Sequence, residues 1–430
     1  MNFSKKAVFS HEKTAFSLKK ILCYNERMKI RKILCILLIL CALPALVSCA
    51  GGPASASNEE DAAWSKPDED YLTKLSEQNP ADEDAETEQK RVGVAMPTKT
   101  SERWINDGMN IKAKLETLGY EVDLQYADDD IDLQVSQIES MIRNGVNCLV
   151  IASIDSTRLT DVLAQAKAKG IAVIAYDRLL MDTDAVSYYA SFDNKAVGTL
   201  IGNYIVEKMD LPGATAAKKS YTIEFFMGSP DDNNAVFLYN GVMEALRPYL
   251  DNGALICRSG RTKFEETCIL RWSEFTAEER CRKLIEEFYP QGDLDIACSA
   301  FDGFAYGILT AWEAKLPNAK LPMITGQDAE KPAIRNLAND KMDMTIYKDT
   351  RVLASKCVTM VQALLENGEP EINDTTQYDN NVLTVPSYLC DPVVIDKDNY
   401  EEILIKGGYY TREQLVQCSY GAAALGAVIK

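Results

Sequence analysis

From Val92 onward the chain repeats one unit: a short, mostly apolar run, then an amphipathic stretch of about three turns, often closed by glycine. Strands are expected over Arg91 to Met96, Glu121 to Ala127, Cys148 to Ala152 and Ala172 to Tyr176. Helices fall between them near Glu102 to Leu118, Leu133 to Arg143 and Leu159 to Lys169, with Gly119, Gly145 and Gly170 after them. Strands apolar on both faces must be covered on both faces, and helical crossovers supply that cover in a parallel sheet. The pattern then restarts with a strand over Thr222 to Phe226 and a helix over Ala235 to Leu246. Further strands follow at Leu255–Cys257, Ile296–Cys298, Met323–Thr325 and Met344–Tyr347, with helices at Ala277 to Phe288 and Gly303 to Ala314. The fold class is therefore α/β, with two doubly wound parallel-sheet lobes. The helix Arg351 to Glu366 is placed to cross back to the first lobe.

Open α/β sheets bind ligands just beyond the carboxyl ends of their strands. Polar residues collect there. Asp177-Arg178 follows one strand of the first lobe, and Asp232-Asn233-Asn234 follows the first strand of the second. Asp302, Asp328 and Lys348 follow later strands. A strand-end Asp or Asn is also a common helix N-cap, and for any one of these residues that alternative stands. The run Asp128-Asp129-Asp130 lacks the alternating ligands and glycine of a calcium loop and is expected to be a solvated turn.

The amino-terminal part is of another kind. Lys29, Arg31 and Lys32 precede an apolar run from Ile33 to Val47, and Leu46-Val47-Ser48-Cys49 is followed by Ala50-Gly51-Gly52. A basic segment, a short apolar segment and small residues before a cleavage point make a secretory signal. A Cys after Leu-x-Ser makes it a lipoprotein signal, with Cys49 carrying the lipid. The run is shorter than the roughly 20 residues that a membrane span needs. The signal fits a start at Met28, with residues 1–27 an upstream extension. His11 is the only histidine and lies in that extension, so the expected mature chain has none. Ser-His-Asp and Cys-His catalysis and His-ligated zinc are thereby excluded, and neither a metal nor a cofactor is expected. Residues 49–89 form an acidic tether rich in Ala, Ser and Pro. The net charge of −18 excludes a nucleic-acid partner, which needs a basic face. Of the cysteines beyond Cys49, none forms Cys-x-x-Cys. Cys148 and Cys298 are expected core thiols, and Cys257, Cys268 and Cys281 could supply one disulfide.

Several stretches carry a resemblance. Ala95-Met96-Pro97-Thr98-Lys99, Ser101-Glu102-Arg103-Trp104, Ala175-Tyr176-Asp177-Arg178, Gly228-Ser229-Pro230-Asp231-Asp232-Asn233-Asn234, Gly326-Gln327-Asp328-Ala329 and Tyr347-Lys348-Asp349-Thr350 resemble the multiple-sugar-binding and D-xylose-binding receptors. These are type I periplasmic sugar-binding proteins, and the likeness spans about Val92 to Leu415. It implies two lobes joined by a three-segment hinge: 90–194 plus 349–391, and 195–348 plus 392–418, with 419–430 a tail. It implies a monomer that binds a monosaccharide, an aldose such as xylose, glucose, galactose or arabinose, and hands it to an ABC importer's permease and ATPase. By family position the polar contacts are Arg103, Asp177, Arg178, Asp232, Asn234, Asp328 and Lys348, with Trp272 and then Trp104 as stacking candidates. Phe301 departs from the xylose-binding pattern, where an Asn stands; it could form a second wall, with Asp302 taking over polar contact.

The chemistry agrees with that reading. A pyranose offers hydroxyls that both donate and accept, and one apolar face. Planar forks of Asp, Asn and Arg satisfy hydroxyl pairs, and an aromatic ring covers the apolar face. Paired carboxylates also suggest a glycosidase, but Arg178 beside Asp177 would depress that carboxyl's pKa and spoil a general acid. No enzymatic activity is expected. A sensor docking on a chemoreceptor or histidine kinase shares the same site. A sugar-responsive repressor is excluded by the lipoprotein signal and the lack of a DNA-binding helix pair.

Overall fold

The first sheet is built on strand β1, Arg91–Met96, whose residues after Arg91 are all buried. It lies between β2 (Glu121–Tyr126) and β3 (Cys148–Ile151); β4 (Ala172–Tyr176) and β5 (Tyr188–Phe192) follow. A late strand, β11 (Ser387–Cys390), completes the order β11-β5-β4-β3-β1-β2, and every pairing is parallel. The computed structural model describes residues 89–416. Cys49, the leader, the tether up to residue 88 and the tail 419–430 lie outside the described residues.

Side-chain alternation along the strands divides the core in two. Leu149, Ile151, Val173 and Ala175 face helices Ile131–Arg143 and Thr160–Ala168 through Ile138, Met141 and Leu163. Cys148, Val150, Ile174 and Tyr176 face helices Glu102–Thr117 and Thr350–Leu365 through Ile111, Leu115, Leu353 and Cys357. The expected return of the late helix to the first lobe is thus observed.

The second lobe has β6 (Tyr221–Phe226), β7 (Leu255–Ile256), β8 (Ile296–Ser299) and β9 (Met323–Ile324) in the parallel order β7-β6-β8-β9. β10 (Met344–Tyr347) joins through a bridge from Gln327 to Ile346, and β12 (Val393–Asp396) runs antiparallel to it. Helices Asn194–Lys208 and Asn233–Asp251 cover one face, and Glu274–Phe288, Asp302–Lys315 and Lys331–Ala338 the other. The chain passes between lobes after β5, after β10 and after β11, which gives the three-segment hinge.

Periodicity alone missed β5, β11 and β12. Ser191 and Ser387 are fully buried polar residues within the first two, and they interrupt the apolar signal. Cys148 and Cys298 are core thiols as expected. Cys257, Cys268 and Cys281 form no disulfide among the described residues, so the expected bridge between two of them is not made; Cys281 is buried against the Asp302–Lys315 helix, its thiol 3.9 Å from the Ile308 carbonyl.

Candidate functional site

The lobes face each other across a cleft of about 350 Å³. Its first-lobe wall begins where β1 and β4 end. Arg103 stands on the first turn of helix Glu102–Thr117, with Trp104 beside it. Asp177 leaves β4 with φ 59, a left-handed conformation unusual outside glycine. Its carbonyl is held there by hydroxyls of Tyr189 (2.6 Å) and Ser191 (2.8 Å), and its carboxylate is turned to the Arg103 guanidinium. The strain is therefore fixed by buried hydrogen bonds, a usual way to pre-organise a binding residue.

Arg103 is shared among three acids: Asp177, Asp107 at 3.5 Å and Asp328 at 3.8 Å. Arg178 bridges the lobes, its Nε 3.3 Å from Asp232 Oδ2 and its Nη1 donating to the Ser153 carbonyl at 2.9 Å. The sequence leaves open a brace between Arg178 and Asp177; the structure gives that brace to Arg103. Lys348, at the end of β10, lies 2.8 Å from Asp328. Burial pushes the Asp177 carboxyl upward, but the charges of Arg103 and Lys348 outweigh it and hold the group below its usual range. Burial likewise raises Asp232, and Arg178 only partly offsets it. The Arg103 guanidinium loses by burial and gains more from Asp177, Asp328 and Asp107, so it stays charged.

Asp232 does two jobs at once. Its Oδ1 caps helix Asn233–Asp251 by accepting from the Asn234 amide at 3.0 Å, while its Oδ2 faces Arg178 and accepts from the Trp272 indole at 3.2 Å. Asn234 donates from Nδ2 to the Asp177 carbonyl at 2.6 Å, and its Oδ1 lies 2.8 Å from the Tyr189 hydroxyl. It lines the cleft, but these bonds run to the opposite lobe and clasp the two walls together.

The aromatic wall belongs to the second lobe. Trp272 stacks on Phe304 with centroids 5.8 Å apart and meets Phe301 edge-on at 5.9 Å. Arg271 and Trp272 are both left-handed (φ 59 and 51), which turns the indole in over Gly228. A Cβ on Gly228 would stand 2.2 Å from Trp272 Cη2, so the glycine is what admits the ring. Trp104 is only 6% exposed, with the Arg103 and Arg178 guanidiniums over its ring at 4.6 and 5.2 Å. It orients the cations more than it offers a free face.

One expected contact is not brought to the cleft. Asp302 is fully buried behind the wall, where Oδ1 accepts from the Thr345 hydroxyl and Oδ2 from the Glu330 amide, both at 2.8 Å. Both oxygens are used within the lobe, so Asp302 ties strand ends together. Phe301 does line the cleft. Asp128, Asp129 and Asp130 are exposed as expected for a solvated turn; Asp130 caps helix Ile131–Arg143, and Asp129 reaches the cleft rim.

Sequence reasoning passed over Gln327, Tyr306, Glu274 and Glu330, all of which line the cleft. Gln327 was within reach, since it adjoins Asp328 at the same strand end. Tyr306 and Glu330 gave no such sign; they meet only in three dimensions, with the Tyr306 hydroxyl donating to Glu330 Oε2 at 3.0 Å. Buried Arg103 Nε, Arg178 Nε and Gln327 Oε1 have no hydrogen-bond partner among the described residues. Such groups are costly unless something pairs with them.

Residues 92–370 match the periplasmic binding protein domain. The multiple sugar-binding periplasmic receptor ChvE of Rhizobium radiobacter is 48% identical over 327 residues, covering 75% of this chain and 92% of that protein. The multiple sugar-binding periplasmic protein SbpA of Azospirillum brasilense is 46% identical, covering 75% and 90%. An ABC transporter solute binding protein from Clostridium phytofermentans, solved with bound β-D-glucose, is 50% identical with a TM-score of 0.73, covering 76% of this chain and all of that one.

Proposed function

The chain belongs to the periplasmic binding proteins, type I by its fold, and we propose that its cleft captures one neutral monosaccharide for delivery to an ABC importer. It is an extracytoplasmic binding protein and not an enzyme. The observation that carries the ligand reading is the pairing of fixed charged forks from both lobes with an aromatic wall in one small cleft. About 350 Å³ is near the small end of small-molecule sites, suited to a single ring. Asp177, Asp232 and Asp328 accept from hydroxyls, Arg103, Arg178 and Lys348 donate to them, and Trp272 and Phe301 cover a C–H face. Hydrogen bonds to charged groups contribute about 1.5–3 kcal/mol each, enough in combination to offset desolvation of a sugar. Calorimetric titration with D-glucose, D-xylose, D-galactose and L-arabinose tests the reading. At least one should bind with micromolar or tighter affinity; no heat from any of them at millimolar sugar would sink it.

The likeness to a glucose-bound solute binding protein supports D-glucose as the first ligand to try and an ABC importer as recipient. A sensor docked on a chemoreceptor or histidine kinase would read the same closed form. Anchoring through Cys49 belongs to the same proposal, on the strength of Leu46-Val47-Ser48-Cys49. Cys49→Ser should release the protein from membranes into the soluble fraction and abolish lipid labelling. Retention of that variant on membranes would contradict the anchor.

A further inference from the structure

The charge balance of the cleft is uneven. Six carboxylates and four cations line it. Each cation is engaged: Arg103 with Asp177 and Asp328, Arg178 with Asp232, Lys348 with Asp328, and Arg271 with Asp231 at 3.1 Å. Glu274 and Glu330 take part in no ion pair among the described residues, and they stand near enough for the charge of Glu274 to bear on Glu330. Among the described residues the Glu330 carboxylate receives only the Tyr306 hydroxyl.

A second observation lies three residues before Glu330. Gln327 is 4% exposed, and its Nε2 donates to the Ala300 carbonyl at 3.2 Å. That bond fixes which end of the amide is the oxygen. Oε1 is buried and has no donor among the described residues. The second-lobe wall thus presents two uncompensated carboxylates and a buried acceptor. A sugar hydroxyl brings one proton to such a wall and two lone pairs that it must place elsewhere. An ammonium group brings three donors, a positive charge and no lone pair.

We propose that this wall recognises an ammonium group, so that the cleft takes an amino sugar, a hexosamine, in the same seat as the neutral aldose and disfavours sugar acids. The inference rests on the monosaccharide reading and goes beyond it by naming a second ligand class. Burial first, and the negative charge of Asp328 next, lift the Glu330 carboxyl to about 7, a crowding that a cation would relieve.

The test is calorimetry near neutral pH with D-glucose, D-glucosamine, 6-amino-6-deoxy-D-glucose and D-glucuronate, on the wild type and on Glu330→Gln and Glu274→Gln. Melting temperatures are recorded alongside to confirm folding. At least one amino sugar should bind as tightly as D-glucose or tighter, and D-glucuronate should bind at least about tenfold more weakly, the effect of one charge-assisted hydrogen bond. Glu330→Gln should lower the ratio of amino-sugar to glucose affinity by about tenfold. Both amino sugars binding over about tenfold more weakly than D-glucose would overturn the inference, as would a ratio unchanged in both variants. An amino sugar that binds where no neutral aldose does would overturn the neutral reading and keep this one; if nothing binds, both fall.

Discussion

Replacing Asp177 by Asn should weaken binding of the best aldose by about 2–4 kcal/mol, on the order of 30- to 700-fold, while the protein stays folded. Asn is the informative substitution because φ at this position is 59, a conformation that Asn tolerates and Ala does not. Asn keeps the shape of the side chain and removes its charge. Arg103 would then keep Asp328 and Asp107, at 3.8 and 3.5 Å, so the framework retains its cation and loses the carboxylate that faces the ligand. The melting temperature should move by less than about 2 °C, the scale of 1 kcal/mol in a chain of this size. The exposed Glu279→Ala is the control and should change affinity by less than about 0.5 kcal/mol. An Asp177→Asn variant that binds like wild type would show that Asp177 serves only to hold Arg103.

Asp302→Ala should do the opposite. Its two oxygens satisfy the Thr345 hydroxyl and the Glu330 amide in a fully buried setting, and truncation leaves both donors unpaired. Each unpaired donor costs about 1–3 kcal/mol, so stability should fall by roughly 2–6 kcal/mol. Affinity measured well below the new melting point should stay within about threefold of wild type, because the carboxylate does not line the cleft. Chemical denaturation read by circular dichroism, with titrations at low temperature, separates the two quantities. A large affinity loss at unchanged stability would return Asp302 to the site. The pair is discriminating: both are strand-end aspartates, and only their surroundings differ.

That difference marks how much the sequence could say. Of the strands that carry the site, β1 after Arg91 and β4 are continuous apolar runs, and β6 is apolar but for the buried Thr222 and Glu224; both the runs and the polar residues that follow them were legible. Arg103, Asp177, Arg178, Asp232, Asp328 and Lys348 all reach one cleft. The pairing among them was not legible. Adjacency in sequence suggests Arg178 with Asp177, whereas neighbouring strand ends and the lobe contact give Asp177 to Arg103 and Arg178 to Asp232. Whether a strand-end carboxylate faces the cleft or its own lobe also depends on neighbours far along the chain. Thr345 is 43 residues from Asp302, and nothing local to Asp302 announces it. Trp272 could be picked for its irregular loop, but its seat depends on Gly228 lacking a side chain, and Phe304 beneath it belongs to a helix whose apolar face looked like ordinary core.

The clasp between lobes points to the decisive measurement. Arg178 with Asp232, and Asn234 with the Asp177 carbonyl, bridge the two walls, and a ligand held by groups from both should favour the closed arrangement. Small-angle X-ray scattering of the protein alone and with saturating D-glucose, or the best aldose of the panel, tests capture between lobes. A smaller radius of gyration with sugar is expected in the wild type, and the change should be lost in Asp177→Asn at the same sugar concentration. Identical profiles with and without sugar, under conditions where calorimetry shows the site filled, would contradict a cleft that closes on its ligand.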